Sequence, residues 1–200
     1  MIIENNKNEV TKSINEELNK VENYIEQALF YARSNTVEKD YYVKNITLKE
    51  IVNDSIKKNK NVLIHEKVSV NIHELEQKVY TDNKWIEFIL NQIIQNSIKY
   101  RKKDGTLEIE IYAKEKKENV ILYIKDNGIG IKKGEITRVF EKGFTGTNGR
   151  IIGKKSTGIG LYLCKKLCIK LGIEIELNSI YNEGTEIRLV FPKDSYTDLK

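Results

Sequence analysis

Two pairs of alternating runs constrain this chain more than any other feature. In TLEIEIYAKE and NVILYIKDNG, between residues 106 and 128, apolar and polar positions alternate, and only the charged turn KKEN separates the runs. Successive side chains of a strand point to opposite faces, so each run carries an apolar face. A connection this short joins antiparallel neighbours, which makes the pair a hairpin. IEIELNSI and TEIRLVF, joined by YNEG, repeat the arrangement nearer the C-terminus. Two short runs upstream, VSVNI and KVYTD, also alternate like strands with a turn between them.

Helical segments supply the cover. TLKEIVNDSIKKNK offers Thr47 as a cap with Glu50 three residues on, the capping-box spacing. Asp82 is placed to cap a helix opening at Lys84, and a further helix is expected from Gly158 to Leu171. Antiparallel strands with helices grouped on one face predict an α+β fold, a two-layer α/β sandwich. Residues 10–33 precede it as an amphipathic helix, with Ile14, Leu18, Val21, Tyr24, Ile25, Ala28, Leu29 and Ala32 at steps of three and four. Nothing beside that helix buries its stripe, so a partner helix is expected. The predicted organisation is a helical appendage over residues 1–40 and a folded domain over 41–200.

Composition excludes several functions. The chain has 200 residues, 40% of them apolar and 32% charged, which suits a globular domain with a sizeable core. A net charge of +5 with both signs interspersed does not mark a nucleic-acid surface, although lysines recur at 99–103 and 154–155. Cys164 and Cys168 lie in an apolar helical run without a nearby histidine, so buried thiols are expected and not a metal site. No run is long and apolar enough to span a bilayer, and the start has no signal-peptide pattern, so a soluble cytoplasmic chain is expected.

The helix around ILNQIIQNSIKY carries carboxamides where an apolar stripe should run. Trp85, Phe88, Ile89, Gln92, Ile93, Asn96 and Tyr100 share one face, which sets Gln92 and Asn96 one turn apart. An unpaired buried amide costs roughly 1–3 kcal/mol, so both require partners. Backbone groups of neighbouring strands would serve. A pocket lined by this face would serve equally, and the side-chain oxygen of Asn96 is a hard ligand suited to Mg²⁺.

Two glycine clusters follow. DNGIGI, residues 126–131, falls where a strand ends and reads either as a plain turn or as a place where backbone approaches a ligand beside the Asp126 carboxylate. STGIGL, residues 156–161, opens a helix and reads either as a capped start or as a phosphate site. Neither is a Walker loop, which ends in Gly-Lys-Ser/Thr, nor a dinucleotide motif, which needs a βαβ unit.

Taken together, NQIIQNSIKY, DNGIGI, RVFEKGFTG and STGIGL resemble, in that order, the N box, first glycine box, F box and second glycine box of the ATP-binding catalytic domain of sensor histidine kinases. That domain shares the Bergerat fold with DNA gyrase, the heat-shock chaperone ATPases and MutL-type repair proteins. The likeness covers about residues 45 to 192, and its wording is most similar to antibiotic-sensing kinases of the BceS type.

The resemblance implies a set of roles. Asn96 would coordinate Mg²⁺ at the ATP phosphates, Lys99 would contact phosphate and Tyr100 would border the adenine. Asp126 would accept a hydrogen bond from the adenine amine in a pocket shaped by Gly128, Ile129 and Gly130. Thr157, Gly158, Ile159, Gly160 and Leu161 would form the helix start that receives phosphate. Residues 141–156 would be a lid, with Phe140 and Phe144 as its apolar anchors.

Gln92 and Asn96 are the expected catalytic pair, but Gln92 departs from the pattern. Hydrolysing relatives carry a general-base Glu there, and a carboxamide cannot take a proton from water at neutral pH. Transfer of the γ-phosphoryl group to a histidine is therefore expected over hydrolysis. The second glycine box also begins Ser156-Thr157 instead of with glycine.

The chain holds only His65 and His73. His65 reads as lying between helix and strands, outside any long amphipathic helix, so neither is expected to be the acceptor. The chain then reads as a fragment with part of a dimerisation helix. Its expected partners are ATP, the acceptor-histidine helix of the intact kinase, a response regulator whose aspartate takes the phosphoryl group, and a second copy through residues 10–33. The intact protein would be a membrane sensor. A nucleotide-responsive interaction module without transfer activity is the alternative, and a gyrase- or chaperone-like ATPase is a third reading disfavoured by Gln92.

Overall fold

A computed structural model describes residues 14, 17–18, 21–22, 24–32, 42–147 and 157–193 of the chain. The chain divides into two compact units, residues 1–39 and 40–200. In the first, the described residues are helical, and Ile14, Leu18, Val21, Tyr24, Ile25 and Leu29 of the expected stripe are exposed. The rest of that expected helix, together with Lys154, Lys155 and Ser156, lies outside the described residues.

The second unit begins with β1 (Lys44–Thr47), which runs straight into α1 (Leu48–His65). The Thr47 side chain accepts from the Glu50 amide and the Glu50 carboxylate accepts from the Thr47 amide, so the capping box is complete. The helix runs five residues beyond the expected end at Lys60. His65 is consequently its last residue, which corrects the expectation that His65 lies outside a long amphipathic helix. Val62, Leu63 and Ile64 carry the helix on because nothing in that stretch breaks it, and Leu63 continues the buried face of Ile51, Val52 and Ser55.

After β2 (Ser69–His73) and β3 (Lys78–Thr81) comes α2 (Asn83–Lys99). Asp82 caps α2 by accepting from the amides of Lys84 at 2.9 Å and Trp85 at 3.3 Å. Strands β4 (Glu108–Glu115) and β5 (Asn119–Asp126) form the first hairpin, a 3₁₀ turn spans Lys133–Arg138, and α3 (Gly160–Lys170) leads to the second hairpin of β6 (Glu174–Ile180) and β7 (Gly184–Pro192).

The five-stranded sheet has the order β2-β4-β5-β7-β6, and β1 pairs with β3 in a separate small sheet. Thus β2 and β3 do not pair with each other. The expected antiparallel sheet is also corrected, because β2 runs parallel to β4, with Ser69 opposite Glu108 and His73 opposite Tyr112. The chain from β2 to β4 passes through α2, and a crossover of that length returns the next strand in the same direction. Both expected hairpins are present.

One face of the sheet carries Ile109, Ile111, Leu122, Ile124, Ile187, Leu189 and Phe191 into a core with Ile86, Ile89, Leu90 and Ile94 of α2 and with Leu163 and Leu167 of α3. Both cysteines are buried in this layer, as expected. Burial pushes the Cys168 thiol up to about 12 and the Cys164 thiol upward as well, so both remain protonated.

The opposite face carries a cross-strand row. The rings of His73 and Tyr112 stack at 5.1 Å and those of Tyr112 and Tyr123 at 4.7 Å, and the Arg188 guanidinium lies 5.5 Å from the Tyr123 ring. Arg188 in turn pairs with Glu176 on the edge strand at 3.3 Å. The register places all five residues side by side, so each strand contributes one member. Leu122 sits at the centre of the sheet with no exposed surface. Leu122→Ala should therefore cost about 2–5 kcal/mol in denaturant unfolding.

Candidate functional site

Helix α2 resolves the puzzle of its own amides by giving each a different surrounding. Gln95 Nε2 donates to Asn59 Oδ1 of α1 at 2.8 Å, and Asn59 donates to the Ser55 carbonyl at 2.8 Å. Gln92 is buried against the start of α3, where a Cβ added to Gly160 would meet Gln92 Oε1 at 2.9 Å. Asn96 alone of these lines a cavity, together with Ile93, Ser97 and Tyr100 of the same helix.

That cavity has a volume of about 110 Å³. Ile124, Leu177, Thr185 and Ile187 of the sheet form one side, and Val139 and Leu161 add apolar wall. The segment Phe144-Thr145-Gly146 borders it from the chain leading into residues 148–156. Two carboxylates line it, Asp126 at the last residue of β5 and Glu135 on the 3₁₀ turn.

Both oxygens of Asp126 are engaged. Oδ1 accepts from the amides of Gly128 at 2.9 Å and Thr185 at 3.3 Å, and Oδ2 accepts from the Ser97 hydroxyl at 2.9 Å. Burial pushes this carboxyl above the ordinary aspartate value, opposed by those three hydrogen bonds and by the positive charge of Lys102. A part-buried, oriented carboxylate beside aliphatic side chains is an acceptor for a hydrogen-bond donor on an otherwise apolar, flat ligand.

The glycines hold the backbone around it. Gly130 has φ +63, and a Cβ there would collide with the carbonyl oxygen of Ile180. Ile129 donates to the Tyr100 carbonyl at 2.9 Å and its own carbonyl accepts from Asn182, so the loop is tied to the end of α2 and to the second hairpin. Gly158, with φ +64, packs on the backbone of Gly143 and accepts its amide at 3.0 Å. This joins the second glycine cluster to the segment that borders the cavity.

The geometry therefore brings Asn96, Tyr100, Asp126, Gly130 and Leu161 around one cavity. Gln92, Lys99, Gly128, Ile129, Thr157, Gly158, Ile159 and Gly160 are not among its lining residues. Gly128 packs against the Tyr100 carbonyl, and the Lys99 ammonium lies 5.4 Å from the Tyr100 ring. Helix α3 begins at Gly160, and its preceding residue Ile159 receives no side-chain cap beyond a 3.3 Å bond from its amide to Thr157 Oγ1. Among the described residues no other side chain caps this start. Of the two expected lid anchors, Phe144 lines the cavity and lies 4.5 Å from Arg138, while Phe140 lies under Lys165 at 5.4 Å.

Several lining residues carried no sequence signal of their own. Glu135 accepts from the amide of Thr147 at 2.9 Å and from its hydroxyl at 2.5 Å, fixing the far end of the bordering segment. Thr185 reaches Asp126 only because β7 lies beside β5. Ser97 stands next to Asn96 on the same helix, where a serine makes no distinctive local pattern. Among the described residues no cluster of His, Cys, Asp or Glu is arranged to hold a metal ion.

Residues 81–195 match the family model described as histidine kinase-, DNA gyrase B-, and HSP90-like ATPase. The chain is 32% identical to sensor histidine kinase YxdK of Bacillus subtilis over 96% of its own length and 58% of that protein. It is 33% identical to sensor protein kinase GraS of Staphylococcus aureus over 96% of its length and 55% of that protein. The chain thus spans little more than half the length of these relatives. Among solved structures, Acinetobacter baumannii histidine kinase AdeS has a similar fold, with a TM-score of 0.70 at 18% identity, covering 92% of this chain and 83% of that one.

Two outcomes follow from the site. Because its pKa is raised by burial, ionised Asp126 lowers stability at neutral pH, and that penalty fades as pH falls through the raised value. Asp126→Asn should therefore unfold at or above the parent temperature at pH 7, with the difference shrinking toward acidic pH, while ligand binding falls at least about tenfold. Gly130→Ala, which forces a Cβ onto the Ile180 carbonyl at positive φ, should lower the unfolding midpoint and abolish calorimetric binding of a non-hydrolysable ATP analogue.

Proposed function

This chain belongs to the family of histidine kinase-, DNA gyrase B- and HSP90-like ATPases, and we propose that it is the part of a sensor histidine kinase that holds Mg-ATP and presents its γ-phosphoryl group to a histidine outside this chain. The observation that carries the reading is the part-buried Asp126 carboxylate in a largely apolar cavity, with Asn96 on its wall and the start of α3 joined to its border.

The residues present suit the nucleotide. Asp126 accepts a hydrogen bond from the base, the aliphatic walls exclude water from the ring, and the amides at the start of α3 face phosphate oxygens. Asn96 supplies a neutral oxygen for Mg²⁺, which would offset phosphate charge during transfer. In that transfer a nitrogen of the acceptor imidazole bonds to the γ-phosphorus and the bond to the bridging oxygen breaks, leaving ADP. Gln92 offers no base for activating water, which favours an imidazole acceptor over hydrolysis.

The partners follow from this reading. The acceptor lies on a helical hairpin of the intact protein, a response-regulator aspartate receives the phosphoryl group, and the exposed stripe of Leu18, Val21, Ile25 and Leu29 pairs with a second copy. Among the described residues no helix is long and apolar enough to cross a membrane, and we place this domain on the cytoplasmic side of a membrane-anchored sensor.

Calorimetric titration with a non-hydrolysable ATP analogue, with and without Mg²⁺, tests the pocket. The parent chain should bind more tightly with Mg²⁺, and Asn96→Ala should lose that enhancement while keeping its fold. Adding a helical hairpin that contains the acceptor histidine should then yield phosphohistidine from ATP. Steady release of inorganic phosphate without the hairpin would instead favour a gyrase-like ATPase.

A further inference from the structure

We propose that Ser97 is the specificity-determining partner of Asp126: its hydroxyl holds the carboxylate in the orientation that selects a purine bearing an exocyclic amine over one without it. The inference rests on the nucleotide reading above and concerns what the cavity distinguishes once a nucleotide is in it.

Ser97 lies one residue beyond Asn96 on α2, turned about 100° around the helix, and both residues line the cavity. It is 3% exposed. Its Oγ lies 2.9 Å from Asp126 Oδ2 and 3.2 Å from the Ile93 carbonyl of its own helix. One hydroxyl proton can satisfy only one of these acceptors at a time. The shorter, charge-assisted contact to the carboxylate is the stronger.

The two carboxylate oxygens differ in what they have left to offer. Oδ1 already receives two backbone amides, from Gly128 and Thr185. Oδ2 receives the serine hydroxyl alone among the described contacts, so it retains acceptor capacity toward the cavity. The terminal torsion of an aspartate is broad and turns both oxygens together. The two amides restrain it at Oδ1, and Ser97 restrains it at Oδ2, the oxygen nothing else among the described contacts holds. A ligand N–H then meets a pre-oriented lone pair, and the cost of ordering the carboxylate is not levied at binding. A ring without the amine gains nothing from that order, so the contribution of Ser97 appears only in the difference between two ligands.

Ser97→Ala tests this, since alanine suits a helix interior and leaves no overlap. The ligands are a non-hydrolysable ATP analogue and the matching analogue with unsubstituted purine as its base, titrated by calorimetry into parent and variant. The expected result is a fall of about five- to tenfold for the amine-bearing ligand and no change for the other, so the selectivity ratio drops by the same factor. Adding Ser97→Ala to Asp126→Asn should leave the ratio where Asp126→Asn alone puts it.

An equal fall for both ligands, no fall for either, or a further fall of the ratio in the double variant would overturn the role and leave Ser97 as a packing residue. A parent chain that binds neither ligand would overturn the nucleotide reading itself, and this role with it. Binding by the parent with an unaltered ratio in Ser97→Ala overturns this role alone.

Discussion

The part-buried carboxylate of Asp126 is the interaction at which separate parts of the domain meet. A charge out of water must be paired or hydrogen-bonded, and here the partners come from three separate pieces of chain. Ser97 comes from α2, Gly128 from the loop after β5, and Thr185 from β7. The three bonds tie the helix, the loop and β7 together at one point. The collision that any side chain at Gly130 would make with the Ile180 carbonyl reflects the same crowding. Stability is given up locally for an acceptor that a ligand can use, a pattern expected of binding sites.

Local rules read the elements well and the assembly less well. The capping box at Thr47 and Glu50, the Asp82 cap and both hairpins were legible because each depends on residues close in sequence. The parallel pairing of β2 with β4 was not, because it depends on where α2 packs and carries no mark in SVNIH itself. The end of α1 escaped for a related reason: VLIH reads as the approach to a strand until burial of Leu63 shows the helix continuing.

The site divides along the same line. Asn96, Asp126 and the glycines stood out because carboxamides and alternate glycines are unusual in a stripe or at a strand end. Ser97, Glu135 and Thr185 are ordinary in their local setting and gain meaning from partners 29, 12 and 59 positions away. The face opposite the helices shows a further long-range regularity, with His73, Tyr112, Tyr123, Arg188 and Glu176 in register across five strands. No window of sequence contains more than two of them.

The strand order carries one more consequence, for biosynthesis. Strand β7 is the last made, yet it occupies an interior place, inserted between β5 and β6. A chain still emerging from the ribosome can form the β4–β5 hairpin and lay α2 against it, but the far half of the sheet has no interior neighbour to pair with until residues 184–192 arrive. Thr185, one of the donors to Asp126, arrives in that same stretch. The carboxylate therefore gains its full set of partners only when the sheet closes, so a chain released before that stretch lacks two walls of the cavity, Thr185 and Ile187, as well as the strand. Completion of the sheet and completion of the cavity are a single late event.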